Sequence, residues 1–362
     1  MNWVVHKFGG ASVKDADAVR NLGAIVLGRS AGEDRDCESA VVVSAMGKTT
    51  NALETVWSTL PHAADVGALI GPVMEAHQRT VEELKLSSDL LAADFSAFRV
   101  LVESWRGRPA SDAGYDAIVG QGERWSTRIV AAQLQALGLS ALWVSAWDVV
   151  RTNGAHRAAV VDLAAVGDSV QERIEQWRGR IPVMQGFVGS SPDGQPTTLG
   201  REGSDFSGAL LAEALRAAKF IVWKDVPGVM TGDPRVWPAA EHVPTLDHGT
   251  AEILGKAGAG VLHRDTVAPI RRGGIPLEVR SFLDPESPGT RIEGETPPAD
   301  LPPLWTISAA LEGVREVRCF GAPPDVASAL WAGCFPKLPL QSVGPDPQFL
   351  SCTLLVVPDE GQ

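Results

Sequence analysis

The chain has 362 residues, 44% of them hydrophobic and 21% charged, which is enough apolar material for about two globular domains without disulfide staples. Lys and Arg number 32 against 44 Asp and Glu, so the formal charge is −12; an acidic chain of this kind is a poor nucleic-acid or anionic-membrane binder as a whole. No run of 18 apolar residues reads as a membrane span, and the opening Met1-Asn2-Trp3-Val4-Val5 enters a strand-like run without a signal-peptide pattern. The four cysteines, Cys37, Cys319, Cys334 and Cys352, form no CxxC pair, which suits a reducing cytoplasm and argues against a zinc ribbon.

In chain order, residues 3–8 read as a strand ending at Gly9-Gly10, and 15–29 as a helix with acidic residues in its first turn. Residues 39–45 are a β-branched run suited to a strand covered on both faces. From about 63 to 107 the pattern is helical, with Gly71-Pro72 expected to break it. A loop then leads to a helix entered near Gly122-Glu123, and 140–144 reads as a strand, 158–178 as a helix and 181–188 as a strand. Ser190 to Pro196 suggests a hairpin turn. Helices at 203–218, 249–256 and 265–272 alternate with strands at 220–223 and 276–282. This alternation predicts an α/β fold with a mostly parallel sheet between helical layers. A proline-rich stretch at 284–303 reads as a linker. Beyond it, strands are expected at 304–311, 315–320, 338–343 and 349–357, with a helix at 323–333, forming a small α+β module.

Five segments carry polar or glycine-rich chemistry. Lys7-Phe8-Gly9-Gly10 places two glycines and a point charge after a strand, a cradle for phosphate; a tight turn with a solvated lysine fits the same residues. Ser44 to Asn51 contains Gly47-Lys48-Thr49, but Val42 stands where a P-loop needs its first glycine. The hydroxyls of Ser44, Thr49 and Thr50 either contact a polar ligand or cap the next helix. Glu123, at a helix start, is favoured by the macrodipole and is also placed to receive an ammonium. Thr197 to Asp205 brackets Arg201 with glycines just before a helix, where a planar guanidinium and free amides suit a carboxylate or phosphate. Trp223 to Arg235 is a loop after a strand, where α/β sheets place ligands.

Taken in order, KFGGASV at 7–13, VVVSAMGKTTNAL at 41–53, GQGERWS at 120–126, TTLGREGSD at 197–205, WKDVPGVMTGDPR at 223–235 and VLHRDTVAPIRRGGIPLEVRSF at 261–282 resemble the aspartate kinases of the amino-acid kinase family. The resemblance implies the family's three-layer sandwich over residues 1–292, a linker at 293–303 and a shortened ACT-like module at 304–362. It implies transfer of the ATP γ-phosphoryl to the side-chain carboxylate of L-aspartate, giving 4-phospho-L-aspartate, the step that opens lysine, threonine and methionine biosynthesis. Lys7 would stabilise the phosphoryl group, Asp205 would hold Lys7, and Ser44, Thr50, Glu123 and Arg201 would bind aspartate. Lys7, Phe8, Gly9, Gly10, Lys224, Asp225, Met230, Arg235, Gly260 and Val261 would contact ATP, with Mg²⁺ held by the ATP phosphates rather than by protein ligands. A cytoplasmic homodimer is expected, with neither nucleic-acid nor membrane partners. The chain departs from the family at Ala11, Lys224 and Met230, and at Gly260, where the family commonly places a lysine. The short tail leads us to expect weak or absent feedback by lysine and threonine. Two alternatives remain: a paralogue acting on another small carboxylate or amino acid, and a non-catalytic ligand-binding or regulatory member.

Overall fold

A computed structural model describes residues 2–200, 203–235, 237–257, 261–262, 264–307, 314–320, 343–346 and 352–358. The chain divides into two compact units, residues 1–225 and 226–362.

The first unit is built on five parallel strands. β1 (Trp3–Phe8) is buried at every position. It pairs with β2 (Glu38–Val43) on one side, Phe8 opposite Val43. β3 (Ala141–Val144) pairs with β4 (Ile181–Gln185), and β4 pairs with β2, Gln185 opposite Val43. β5 (Val188–Ser190) and β6 (Pro196–Thr198) form the hairpin expected around Ser190–Pro196. β7 (Lys219–Lys224) closes the other side of β1, Phe8 opposite Trp223. The sheet order within this unit is therefore β3-β4-β2-β1-β7. Continuous apolar runs such as Val41-Val42-Val43 are what a sheet covered on both faces requires.

Eight α-helices of this unit lie among the described residues: α1 (Ala16–Ala31), α2 (Thr49–Thr59), α3 (Val66–Glu83), α4 (Ala92–Trp105), α5 (Asp112–Val119), α6 (Gln121–Ala136), α7 (Leu163–Trp177) and α8 (Gly203–Leu215). Asp15, Asp65, Ser111 and Asp162 cap α1, α3, α5 and α7 by accepting from backbone amides. α6 packs on β3 and β4, and α8 packs on β1 and β7.

Three expectations about these helices are corrected. Gly71-Pro72 does not break a helix, because Pro72 lies on the exposed side of α3. Val66, Ile70, Val73, Met74 and Val81 are buried on the opposite side. At about 1.5–3 kcal/mol per buried side chain, they outweigh the roughly 3 kcal/mol cost of one interior proline. The loop expected after 111 is α5, started by the Ser111 cap, and α6 begins at Gln121. The helix expected from 158 begins only at Leu163, where Asp162 caps it.

In the second unit, β8 (Val229–Met230) and β9 (His242–Val243) are antiparallel, β10 (Thr245–Leu246) pairs parallel with β12 (Thr290–Ile292), and β11 (Leu277–Ser281) pairs antiparallel with β12. α9 (His248–Lys256) and α10 (Arg264–Gly273) pack together. The proline-rich stretch thus contains a strand. Thr290 explains it: its buried hydroxyl accepts from Val229 N and donates to Val243 O, fastening β12 to β8 and β9. β13 (Leu304–Ile307), β14 (Val314–Phe320), β15 (Val343–Asp346) and β16 (Cys352–Pro358) form an antiparallel sheet in the order β13-β14-β16-β15. The helix expected at 323–333 lies outside the described residues, as does the strand expected from 338 except for Val343.

Candidate active site

The carboxyl ends of the parallel strands are where an α/β sheet places ligands, and in the first unit they gather the charged side chains. Lys7, near the end of β1, forms an ion pair with Asp205 in the first turn of α8, Nζ 2.5 Å from Oδ1. Lys224, the last residue of β7, approaches the other oxygen at 2.9 Å. Burial by itself would raise the Asp205 carboxyl. The two ammonium groups outweigh it and hold the value down at about 2. Asp205 is thus a fixed anion shared by two lysines. Phe8 stacks on Trp223 of β7 with ring centroids 5.8 Å apart, which stiffens the strand pair beneath Lys7.

The turn after β1 is shaped by a second loop. Gly47 N donates to Gly10 O at 3.0 Å. A Cβ on Gly10 would stand 2.9 Å from both Ala45 O and Gly47 O. Glycine at 10 is therefore required by a backbone approach, beyond any contact with an anion. Gly9 meets no such limit among the described residues, where its Cβ would touch only Lys7 Nζ at 3.5 Å.

The loop after β2 meets the start of α6. Gly122 packs against Thr49 and Ala45. This brings Glu123 Oε1 to 3.2 Å from Ala45 N, which donates to it. Glu123 is 3% exposed, and its Oε2 has no hydrogen-bond partner among the described residues. Burial pushes its carboxyl up to about 8, against its own backbone amide and that of Ala45. Ser44 donates from Oγ to Ser204 Oγ in α8 at 2.7 Å, and Ser126 Oγ donates to Ser44 O. Thr50 is half-buried in the first turn of α2, beside buried Thr49.

Several organising residues escaped the sequence reading. Asp116 in α5 is fully buried and receives hydrogen bonds from Thr198, Arg157 and His156. Gln185, at the end of β4, accepts from Ala146 N with Oε1. Gly186 lets β4 approach α8, since a Cβ there would lie 2.5 Å from that of Ser204. Their partners stand far along the chain, and no local spacing signals them. Arg201 lies outside the described residues.

Asp225 ends the first unit. In the second unit Met230 belongs to β8, and Val261 is half-buried. Arg235 is exposed and ion-paired with Asp233, Nη2 to Oδ2 at 2.7 Å. Gly260 lies outside the described residues. Among the described residues, no group of three His, Cys, Asp or Glu side chains is arranged to hold a metal ion, and no helix is long and apolar enough to cross a membrane.

Residues 2–281 match the amino acid kinase family. The chain belongs to that family. It is 34% identical over 310 residues to lysine-sensitive aspartokinase 3 of Escherichia coli, covering 84% of this chain and 67% of that protein. It is 31% identical over 304 residues to bifunctional aspartokinase/homoserine dehydrogenase 1 of Zea mays, covering 80% of this chain and 32% of that protein. The chain thus spans about a third of the length of such bifunctional relatives. The E. coli aspartokinase III structure in complex with aspartate and ADP superposes with a TM-score of 0.83 over 99% of this chain and 96% of that one, at 24% identity. The family's mostly parallel sheet with flanking helices is accordingly the fold of this member.

Proposed function

We propose that this member of the amino acid kinase family is an aspartate kinase, transferring the γ-phosphoryl of ATP to the side-chain carboxylate of L-aspartate. The observation that carries the reading is Glu123. A carboxylate buried without a cation is costly, and one with an oxygen left unpartnered is costlier. A substrate ammonium supplies both the missing charge and the missing donor. The names of the relatives, aspartokinases of bacterial and plant origin, support aspartate as the amino acid.

The chemistry asks little of the protein in proton transfer. An aspartate side chain with an ordinary pKa of about 3.9 is ionised at neutral pH and needs no general base. One carboxylate oxygen forms a bond to the γ-phosphorus, the bond from that phosphorus to the β–γ bridging oxygen breaks, and ADP leaves with the electron pair. The product is a mixed anhydride, 4-phospho-L-aspartate. What the reaction needs is charge neutralisation and alignment of two anions. Lys7 is suited to the transferring phosphoryl, with Asp205 fixing its ammonium. The Gly9-Gly10 turn suits the phosphate oxygens. Ser44, Thr50 and Arg201 would complete the aspartate site beside Glu123. Lys224, Asp225, Met230, Arg235 and the Gly260-Val261 segment are our assignments for the nucleotide. Mg²⁺, when bound, would be held mainly by the ATP phosphates rather than by protein side chains and would supply charge neutralisation there.

The test is ATP turnover with L-aspartate in the presence of hydroxylamine, which traps the acyl phosphate as a hydroxamate, alongside a Lys7→Ala control. Hydroxamate from the unmodified protein and none from the variant supports the assignment. A folded protein silent with aspartate and active with another amino acid would move the substrate assignment. Silence with all of them would favour a ligand-binding member.

A further inference from the structure

We infer that Thr290 is a positioning residue for the nucleotide, an inference that rests on the reading that assigns Met230 and its loop to ATP. Thr290 is fully buried in β12, inside the proline-rich stretch that reads as a linker. Its hydroxyl is inserted between two paired residues of the β8–β9 ribbon. Val229 N donates to Thr290 Oγ1 at 2.8 Å, and that hydroxyl donates to Val243 O at 2.6 Å. Val229 and Val243 stand opposite each other in the ladder, as do Met230 and His242. The hydroxyl therefore relays a bond from one strand to the other. His242 Nε2 lies 3.3 Å from the same oxygen. The hydroxyl proton is committed to Val243 O, so the ring nitrogen can only donate there.

These contacts converge on the residues that carry Met230. Gly228 comes so close that a Cβ on it would stand 2.5 Å from Thr290 Oγ1 and 2.7 Å from His242 Nε2. The turn into β8 thus rests on the hydroxyl, and β8 itself is hydrogen-bonded to it. Thr290 is in turn fixed through its own main chain. It stands opposite Val279 in the β11–β12 ladder. Gly289, at φ +68°, passes so near that a Cβ on it would collide with Val279 O. Backbone packing therefore sets the place of Oγ1. Without the hydroxyl, the amide of Val229 and the carbonyl of Val243, both in buried residues, face each other across a gap sized for a third atom. The ribbon must shift to satisfy them, and Met230 moves with it.

Thr290→Val keeps the shape and removes the hydroxyl. It is expected to raise the KM for ATP about tenfold in the hydroxamate assay, with the KM for aspartate unchanged. ADP titrated calorimetrically without aspartate should bind more weakly by a similar factor. Thr290→Ser keeps the hydroxyl and loses the methyl, and is expected to hold the KM for ATP at the parent value. Thr290→Cys offers only a weak thiol donor and acceptor, so its KM for ATP should fall between the two. It decides the matter if the valine variant does not fold. Equal rises in both KM values would reduce Thr290 to a packing role and overturn the inference. So would a serine variant as impaired toward ATP as the valine one. A folded valine or cysteine variant with the parent KM for ATP would overturn it as well. If the unmodified protein makes no hydroxamate from aspartate, the function itself is wrong and the inference falls with it. Activity without the KM split sinks the inference alone.

Discussion

Lys7 Nζ lies 2.5 Å from Asp205 Oδ1, with both side chains shielded from water. The pair couples the end of β1 to the start of α8, so the position of the ammonium is set by two elements rather than by one flexible stem. Removing Lys7 takes away a preorganised charge. Lys7→Ala is expected to lower kcat by about 10²–10³-fold, read by hydroxamate formation. Asp205→Asn removes the buried anion that Lys7 and Lys224 share and is expected to cost about 3–5 kcal/mol of stability, read by urea denaturation.

The same pair predicts an acid limit. The Asp205 carboxyl sits at about 2 in the folded protein, against 3.8 for an ordinary aspartate. A depressed value means that the folded state favours the ionised form. That stabilisation is present above pH 4 and is lost as pH falls toward 2. Between those limits the unmodified protein should lose stability more steeply than Asp205→Asn. Parallel slopes in acid unfolding would contradict this.

Glu123 behaves in the opposite sense. Its folded value of about 8 lies above the ordinary 4.5, so the native state binds the proton more tightly than the unfolded chain. Its contribution to stability is full below pH 4.5 and disappears as pH rises through 8. Glu123→Gln should flatten that decline. A substrate ammonium requires the ionised carboxylate, so aspartate binding at pH 7 should expel about one proton. Calorimetry in two buffers of different ionisation enthalpy measures it. Buffer-independent heats would argue against an ammonium at this carboxylate.

Much of this site was legible because its residues sit in local patterns. Lys7 precedes paired glycines, Glu123 opens a helix, and Asp205 follows a glycine-flanked arginine. The alternation of apolar strands with helices likewise predicted the parallel sheet. What stayed hidden depends on distant partners. α5 reads as a loop because Ser111, Asp112, Gly114 and Asp116 are turn-like in composition, yet Ser111 caps it and Asp116 is satisfied by residues 40 or more positions away. Gly10 invited an anion-binding interpretation, while the restriction at that position comes from Ala45 and Gly47. Pro72 marked a break that burial along α3 overrides.

Within the second unit, Trp305 of β13 stands edge-on to Trp237, with centroids 6.2 Å apart, and its amide donates to Thr231 O at 2.8 Å. The loop assigned to nucleotide is thus tied to the first strand of the C-terminal sheet. Trp305→Ala should destabilise the protein by about 3–5 kcal/mol. It should also raise the KM for ATP more than that for aspartate. An unchanged KM for ATP would separate the strand from the nucleotide site.

Gly186 offers a sharper test of alignment. An added methyl would stand 2.5 Å from Ser204 Cβ and 2.8 Å from its Cα, so α8 must shift. Ser204 meets Ser44, and the next residue, Asp205, holds Lys7. A shift here therefore disturbs both the loop we propose for the amino acid and the lysine we propose for the phosphoryl group. Gly186→Ala should cost about 1–3 kcal/mol of stability from overpacking. It should lower kcat by up to about 10²-fold through misplacement of the reacting groups. The control is Gly167 in α7, where a Cβ meets nothing within 4 Å among the described residues. Gly167→Ala in that helix should leave kcat unchanged and stabilise by up to about 1 kcal/mol. Loss of activity in the first variant without loss in the second ties catalysis to the seating of α8 against β4. Equal behaviour of the two would show that the site tolerates movement there.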